Sequence, residues 1–168
     1  MPLHLSDILY LLLLIVLFCV AYIVLFRAFP AFFGAPKPRM SAQSVRSIIY
    51  LVIASALAFA ISYAIPDQDL GNRFLHAVGG GFLAFFTCFL AGRDSKTLIH
   101  NSRFIILSLL IVTALGVGNE LLEFFLQSTT GIIFSPSATD TWLDLTSNTV
   151  GALIAAACLV PLVGRAKK

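Results

Sequence analysis

Six polar side chains, His76, Glu120, Glu123, Asp140, Asp144 and Asn148, fall near the same end of three long apolar segments. Carboxylates, an imidazole and a carboxamide in one place can move protons, hold a hard divalent cation, or bind the polar groups of a ligand. The placement is unfavourable unless something offsets it, because an ionised carboxylate at mid-bilayer costs about 2.5–3.5 kcal/mol, and less nearer the headgroups. Half of the chain's eight acidic residues belong to this set.

Helix geometry gathers these residues onto faces. On the last segment Asp140, Asp144 and Asn148 are spaced i, i+4, i+8, and Gly151 follows three later, so all four lie on one stripe with Ser147 beside it. On the preceding segment Glu120 and Glu123 share a face with Gly116 and Gln127, while Asn119 lies one turn behind Glu123. That segment ends near Gln127, which sets Glu120 roughly 10 Å below its end, and Asp144 lies about 6 Å inside the next segment. His76 is similarly shallow on the third segment, with Arg73 one turn before it. Gly79, Gly80 and Gly81 would let another backbone approach that segment closely.

The residue types suggest roles. Glu120 or Glu123 would be a general base, His76 its proton partner, and Asp144 with Asn148 would orient a substrate or a cation. Arg73, Asn119, Asp140 and Asn148 are the candidate substrate-binding groups. Glu120, Glu123 and Asp144 are candidate metal ligands, an oxygen set that suits Mg²⁺, Mn²⁺ or Ca²⁺ better than a soft metal. Plainer readings stand beside these: Asp140 as a helix cap, Arg73 as an interfacial charge paired with a carboxylate, Asn148 as an interhelical hydrogen-bonding group, and His76 as a structural histidine.

The elements that carry these residues are membrane spans. With 59% hydrophobic and 11% charged residues and a mean hydropathy of +0.96, the chain falls in the membrane class. Crossing about 30 Å of hydrocarbon takes roughly 20 helical residues. Five segments meet that requirement, at about 7–27, 46–65, 72–92, 103–127 and 140–163. The expected fold is therefore all-α, one polytopic membrane helix bundle spanning 1–168.

Every Lys and Arg except Arg73 falls in the first loop, the third loop or the C-terminus under this count. By the positive-inside rule the N-terminus is then outside and the C-terminus cytoplasmic, in a multi-pass arrangement expected for a bacterial inner membrane. The leader MPLHLSD lacks the basic region of a signal peptide, so the first segment reads as a retained helix. The net charge of +3 reflects this orientation and not nucleic-acid binding.

The first segment reads as a lipid-facing anchor without charges in its apolar core, and 29–40, with three prolines, as a connector or a surface-lying stretch. Ser47, Ser55 and Ser62 on the second segment suit close packing in lipid and carry no assigned chemistry. The uncharged loop around Ile132, Ile133 and Phe134 reads as a packed connector or a lid over the acidic site. Cys19, Cys88 and Cys158 have no metal-ligand spacing and read as packing residues. No serine elbow, P-loop or dinucleotide fingerprint is present.

The ordered pattern Arg73, His76, Glu120, then Asp144-x-x-x-Asn148-x-x-Gly151 resembles the VanZ-like family of small polytopic membrane proteins, over about residues 72–155. Glu123 stands where that family often has Gln, its loop Arg before the Asp is absent, and Asp140 is additional, which marks a divergent member. The resemblance implies a cell-envelope membrane protein. The leading expectation is an acidic outer-leaflet pocket that binds, and in an enzymatic version processes, a lipid or lipid-linked envelope precursor. The alternatives are a non-catalytic subunit partnered with another membrane protein or with its own copies, and a proton- or cation-coupled transporter. The transporter has less support, because below Asn148 the polar stripe passes to Gly151 and Ala155.

Overall fold

The computed structural model describes residues 5–97, 99, 101–131 and 137–165. Among these, five helical stretches are long and apolar enough to cross a membrane: Ile8–Phe32, Ala42–Ala64, Gln68–Asp94, Ser102–Thr129 and Ala138–Pro161. They are formed by α1 (Leu5–Phe32), α2 (Ala42–Ala64), α5 (Ser102–Thr130), α6 (Ala138–Arg165) and one composite rod. The rod consists of α3 (Gln68–Leu75), a π-helical segment (His76–Leu83) and α4 (Ala84–Asp94).

Capping chemistry explains why most spans extend beyond the apolar stretches. Ser41 starts α2 with a reciprocal capping box, its hydroxyl accepting from the Ser44 N–H while Ser44 Oγ accepts from the Ser41 N–H. Asp67 starts α3 by accepting from the Leu70 N–H at 3.1 Å, and Asn101 starts α5 by accepting from the Arg103 N–H at 2.9 Å. At its far end α5 stops at Gly131, whose φ of 72° is left-handed and whose N–H returns to the Gln127 carbonyl. The expected start at 140 for the last span is displaced to Ala138, because Ser137 Oγ accepts from the Asp140 N–H at 3.2 Å.

The first span departs most from expectation. It runs through Arg27 to Phe32 with Pro30 inside the helix, so the start of the expected connector is helical. It lies at the edge of the bundle, with Leu9, Leu13 and Val24 exposed, but its other face is not a bare anchor surface. Tyr22, Phe26 and Phe29 on that face are buried.

The rod from α3 to α4 is the centre of the bundle: 56% of its apolar stretch is buried, against 11–28% for the other spans. Its glycines make the closest approach. A methyl group at Gly151 of α6 would collide with the Ala77 carbonyl, and one at Gly81 would collide with the Asn148 carbonyl. Gly-to-backbone contact of this kind is the usual basis of tight helix association in lipid, where burial of apolar area gives no net drive.

At the end of the bundle away from the acidic set, Asp94 ties three spans together. Its Oδ2 accepts from Tyr22 at 2.7 Å and from Ser47 at 2.5 Å, and its Oδ1 accepts from Gln43 at 3.0 Å and from Arg93 Nε at 2.9 Å. Arg93 Nη2 in turn donates to Ser47 Oγ at 2.9 Å. Ser47 therefore holds a buried carboxylate in place, where the sequence suggested packing alone.

Candidate functional site

The site is assembled where the start of the central rod meets α5 and α6. Arg73, in the last turn of α3, reaches across to α6. Its Nη2 lies 2.6 Å from Asp140 Oδ1, and its Nη1 lies 2.6 Å from Asp144 Oδ1 and 3.1 Å from the Asp140 carbonyl. One planar guanidinium thus spans two carboxylates a helical turn apart, which a lysine could not do with the same fixed geometry. Since Ser137 supplies the cap of α6, the Asp140 carboxylate is left for this pairing.

Asp144 is enclosed, with its side chain 2% exposed. Asn72 Nδ2 adds a long contact to Oδ1 at 3.4 Å. The other oxygen, Oδ2, faces His76 Nε2 at 3.5 Å, within ion-pair reach but longer than a well-formed hydrogen bond. His76 sits at the first position of the π segment.

Glu120 approaches from α5. It is 3% exposed, and neither carboxylate oxygen makes a well-formed hydrogen bond among the described residues, although the Thr141 hydroxyl lies within electrostatic reach. A buried carboxylate without strong partners is the kind of group that occurs where a proton, cation or ligand completes the site. One ligand atom each from His76, Glu120 and Asp144 lies within 4.8 Å of the others.

Glu123 is not a member of this trio, although it lies within electrostatic reach of it. One turn along α5 from the exposed Asn119, it accepts from Asn119 Nδ2 at 2.7 Å. The candidate metal ligands Glu120 and Asp144 are thus brought together, with His76 rather than Glu123 as the third member.

Asn148 lies two turns into α6 from Asp140, in a slot made by two glycines. A methyl at Gly80 would collide with its Oδ1, and one at Gly116 would stand 3.1 Å from its Nδ2. Asn148 is 4% exposed, and its Oδ1 has no partner among the described residues. His76, Asn119 and Asn148 all line a cavity of about 110 Å³ whose remaining walls are mainly apolar and include Leu14 and Phe18 of α1.

The family model described as "Predicted membrane protein (DUF2238)" matches residues 2–165. The chain belongs to this family. The match takes in all five spans, including α1, which lies outside the stretch carrying the VanZ-like pattern. No curated protein and no solved structure matches the chain.

Three contributors to the site of this DUF2238 member had little signal in the sequence. Asn72 shares a helical face with His76 at i, i+4, which was visible but weak. Thr141 neighbours Asp140 in sequence and approaches Glu120 only because α5 and α6 pack together. The cavity wall from α1 had no signal, since an apolar helix face looks the same against lipid as against a cavity. The suggested lid at Ile132, Ile133 and Phe134 lies outside the described residues.

Proposed function

We propose that this protein sits in the bacterial inner membrane, N-terminus outside and C-terminus cytoplasmic, and that its acidic pocket binds and processes a lipid or lipid-linked envelope precursor from the outer leaflet. The observation that carries this reading is the position of His76. Its side chain lines the mainly apolar cavity and also faces Asp144, so it lies between the space for a ligand and the carboxylates. An imidazole so placed can pass a proton between a bound substrate and an acidic partner.

In this reading Glu120 is the general base and His76 its proton partner, while Arg73 and Asp140 hold Asp144 in register. Asn148 and Asn119 are the substrate-binding groups at the cavity, and Glu123, anchored by Asn119, borders the site. Trp142, 69% exposed on α6 between Asp140 and Asp144, fits the aromatic belt at headgroup level, which supports a site open to lipid headgroups. The convergence of Arg73, His76, Glu120, Asp144 and Asn148 in space supports a VanZ-like site, because the pattern that suggested it consists of the same residues.

A second reading of the same cluster is a bound Mg²⁺ or Mn²⁺. It is favoured by the ligand atoms of His76, Glu120 and Asp144 lying within 4.8 Å of one another. A cation there would offset the excess of carboxylates over Arg73 and could polarise a substrate oxygen.

The test compares envelope-lipid profiles of cells expressing the wild type, Glu120→Gln and Asp144→Asn at equal membrane levels. A lipid change made by the wild type alone is the expected result. Matching profiles from all three, with a membrane partner retained only by the wild type, would replace processing by an assembly role.

A further inference from the structure

Resting on the lipid reading above, we infer that the cavity between α1, α5 and the central rod takes the single hydrocarbon chain of a lipid, entering sideways from the bilayer between α1 and α5. The lipid class is a single-chain amphiphile.

The opening follows from how the two flanking helices are arranged. No Cα atoms of α1 and α5 come within 8 Å of each other. Their side chains meet near the end of the bundle away from the acidic set, where the Phe29 and Phe104 rings stack edge-on at 5.2 Å, and Phe33 of the following loop joins them at 6.3 Å. The cavity lies on the other side of this aromatic closure. Its α1 wall is one continuous face that includes Leu14, Phe18, Ala21 and Leu25 at i, i+4, i+7 and i+11, and its α5 wall is Leu115, Gly116 and Asn119. In a membrane, an apolar cleft between two separated helices borders on the hydrocarbon of the bilayer, so the available occupant is a hydrocarbon chain.

Size and polarity narrow the occupant. The volume of about 110 Å³ is somewhat below the roughly 150 Å³ apolar cavity that accommodates benzene, so it holds a short stretch of one chain and not two. At the far wall Asn148 lines the cavity. His76 lines the same wall. A chain seated in the cleft thus brings its polar end to the imidazole that faces Asp144.

The experiment uses the full-length protein in phospholipid nanodiscs, with a monoacylglycerol carrying a photoactivatable diazirine on its acyl chain. A phosphatidylethanolamine with the same chain label serves as a two-chain comparison, and adducts are located by mass spectrometry. The expected adducts from the monoacylglycerol concentrate on Leu14–Ala21 of α1 and on Leu115, several-fold above those on exposed positions such as Leu110 and Leu153. Ala21→Trp, which fills the cleft from α1, should reduce them several-fold. Gly118→Ala, where an added methyl meets nothing within 4 Å, should not.

Adducts spread evenly over all lipid-facing helices, or unchanged by Ala21→Trp in protein folded like the wild type, would overturn the inference. So would equal cleft labelling by both lipids. Cleft labelling without any lipid change in cells would retain the binding site and remove processing, whereas a lipid change without cleft labelling would retain processing and remove this entry route.

Discussion

Arg73 Nη1 lies 2.6 Å from Asp144 Oδ1, a pairing that fixes the start of the central rod against α6. Because the Asp144 side chain is 2% and the Arg73 side chain 23% exposed, loss of the cation leaves a carboxylate with little access to water. Breaking such a pair from one side is expected to destabilise by about 3 kcal/mol, the lower end for buried pairs, given the partial exposure of Arg73. Arg73→Met should therefore lower the thermal midpoint of the purified protein in a fixed detergent. The double variant Arg73→Met with Asp144→Leu should recover part of that loss, since the enclosed charge is gone and only the more exposed Asp140 is left without its cation. An Arg73→Met protein that melts like the wild type would show that the pair positions groups without stabilising the fold.

Gly151 tests the contact between α6 and the central rod. An added methyl would collide with the Ala77 carbonyl, which belongs to backbone and has little freedom to move. Gly151→Ala should cost about 1–3 kcal/mol through overpacking and shift α6 relative to the rod, carrying Asp144 and Asn148 away from His76. Gly118→Ala is the matched control, since nothing lies within 4 Å of a methyl there. Thermal melting of both variants checks this, with Gly118→Ala expected to behave as the wild type.

The spans and the acidic convergence were legible because each depends on local periodicity. Asp140, Asp144 and Asn148 share a stripe in any α-helix, and five apolar stretches of the required length need no tertiary knowledge. The π-helical pairing at His76–Leu83 was not legible. The run Gly79–Gly81 announced close approach, but whether a turn closes at i+4 or i+5 depends on what packs against it, here the backbone of α6. Asp94 was hidden for a related reason. Arg93 and Lys96 count only as basic loop charges and Asp94 beside them drew no reading, while the partners of Asp94, namely Tyr22 and Ser47, lie 72 and 47 residues away on spans that looked purely apolar or small.

The Asp94 cluster yields a prediction that separates stability from function. Tyr22→Phe removes a donor at 2.7 Å to a buried carboxylate and keeps the ring packed on Phe26. Hydrogen bonds to charged groups contribute roughly 1.5–3 kcal/mol, and a loss of that order is expected in the melting midpoint. Asp94 lies at the other end of the bundle from His76 and Asp144, so any lipid change made by the wild type should persist in Tyr22→Phe once membrane levels are matched. A variant that is stable yet loses the lipid change would place Tyr22 in the functional machinery.

A divalent cation at His76, Glu120 and Asp144 makes a prediction that does not depend on knowing the substrate. If the trio binds Mn²⁺, the purified protein, stripped with chelator and titrated, should take up one ion per chain, read by electron paramagnetic resonance. The same titration should raise the melting midpoint, because a ligand that binds only the folded state stabilises it by mass action. Glu120→Gln keeps the size of the side chain but removes an anionic ligand, so uptake and thermal shift should both weaken. Asn119→Ala should leave both unchanged, since Asn119 contacts Glu123 and not the trio. A wild-type protein that takes up no Mn²⁺ and shows no shift would assign the charge offset to protons, and would leave His76 and Glu120 as a proton-transfer pair beside the cavity.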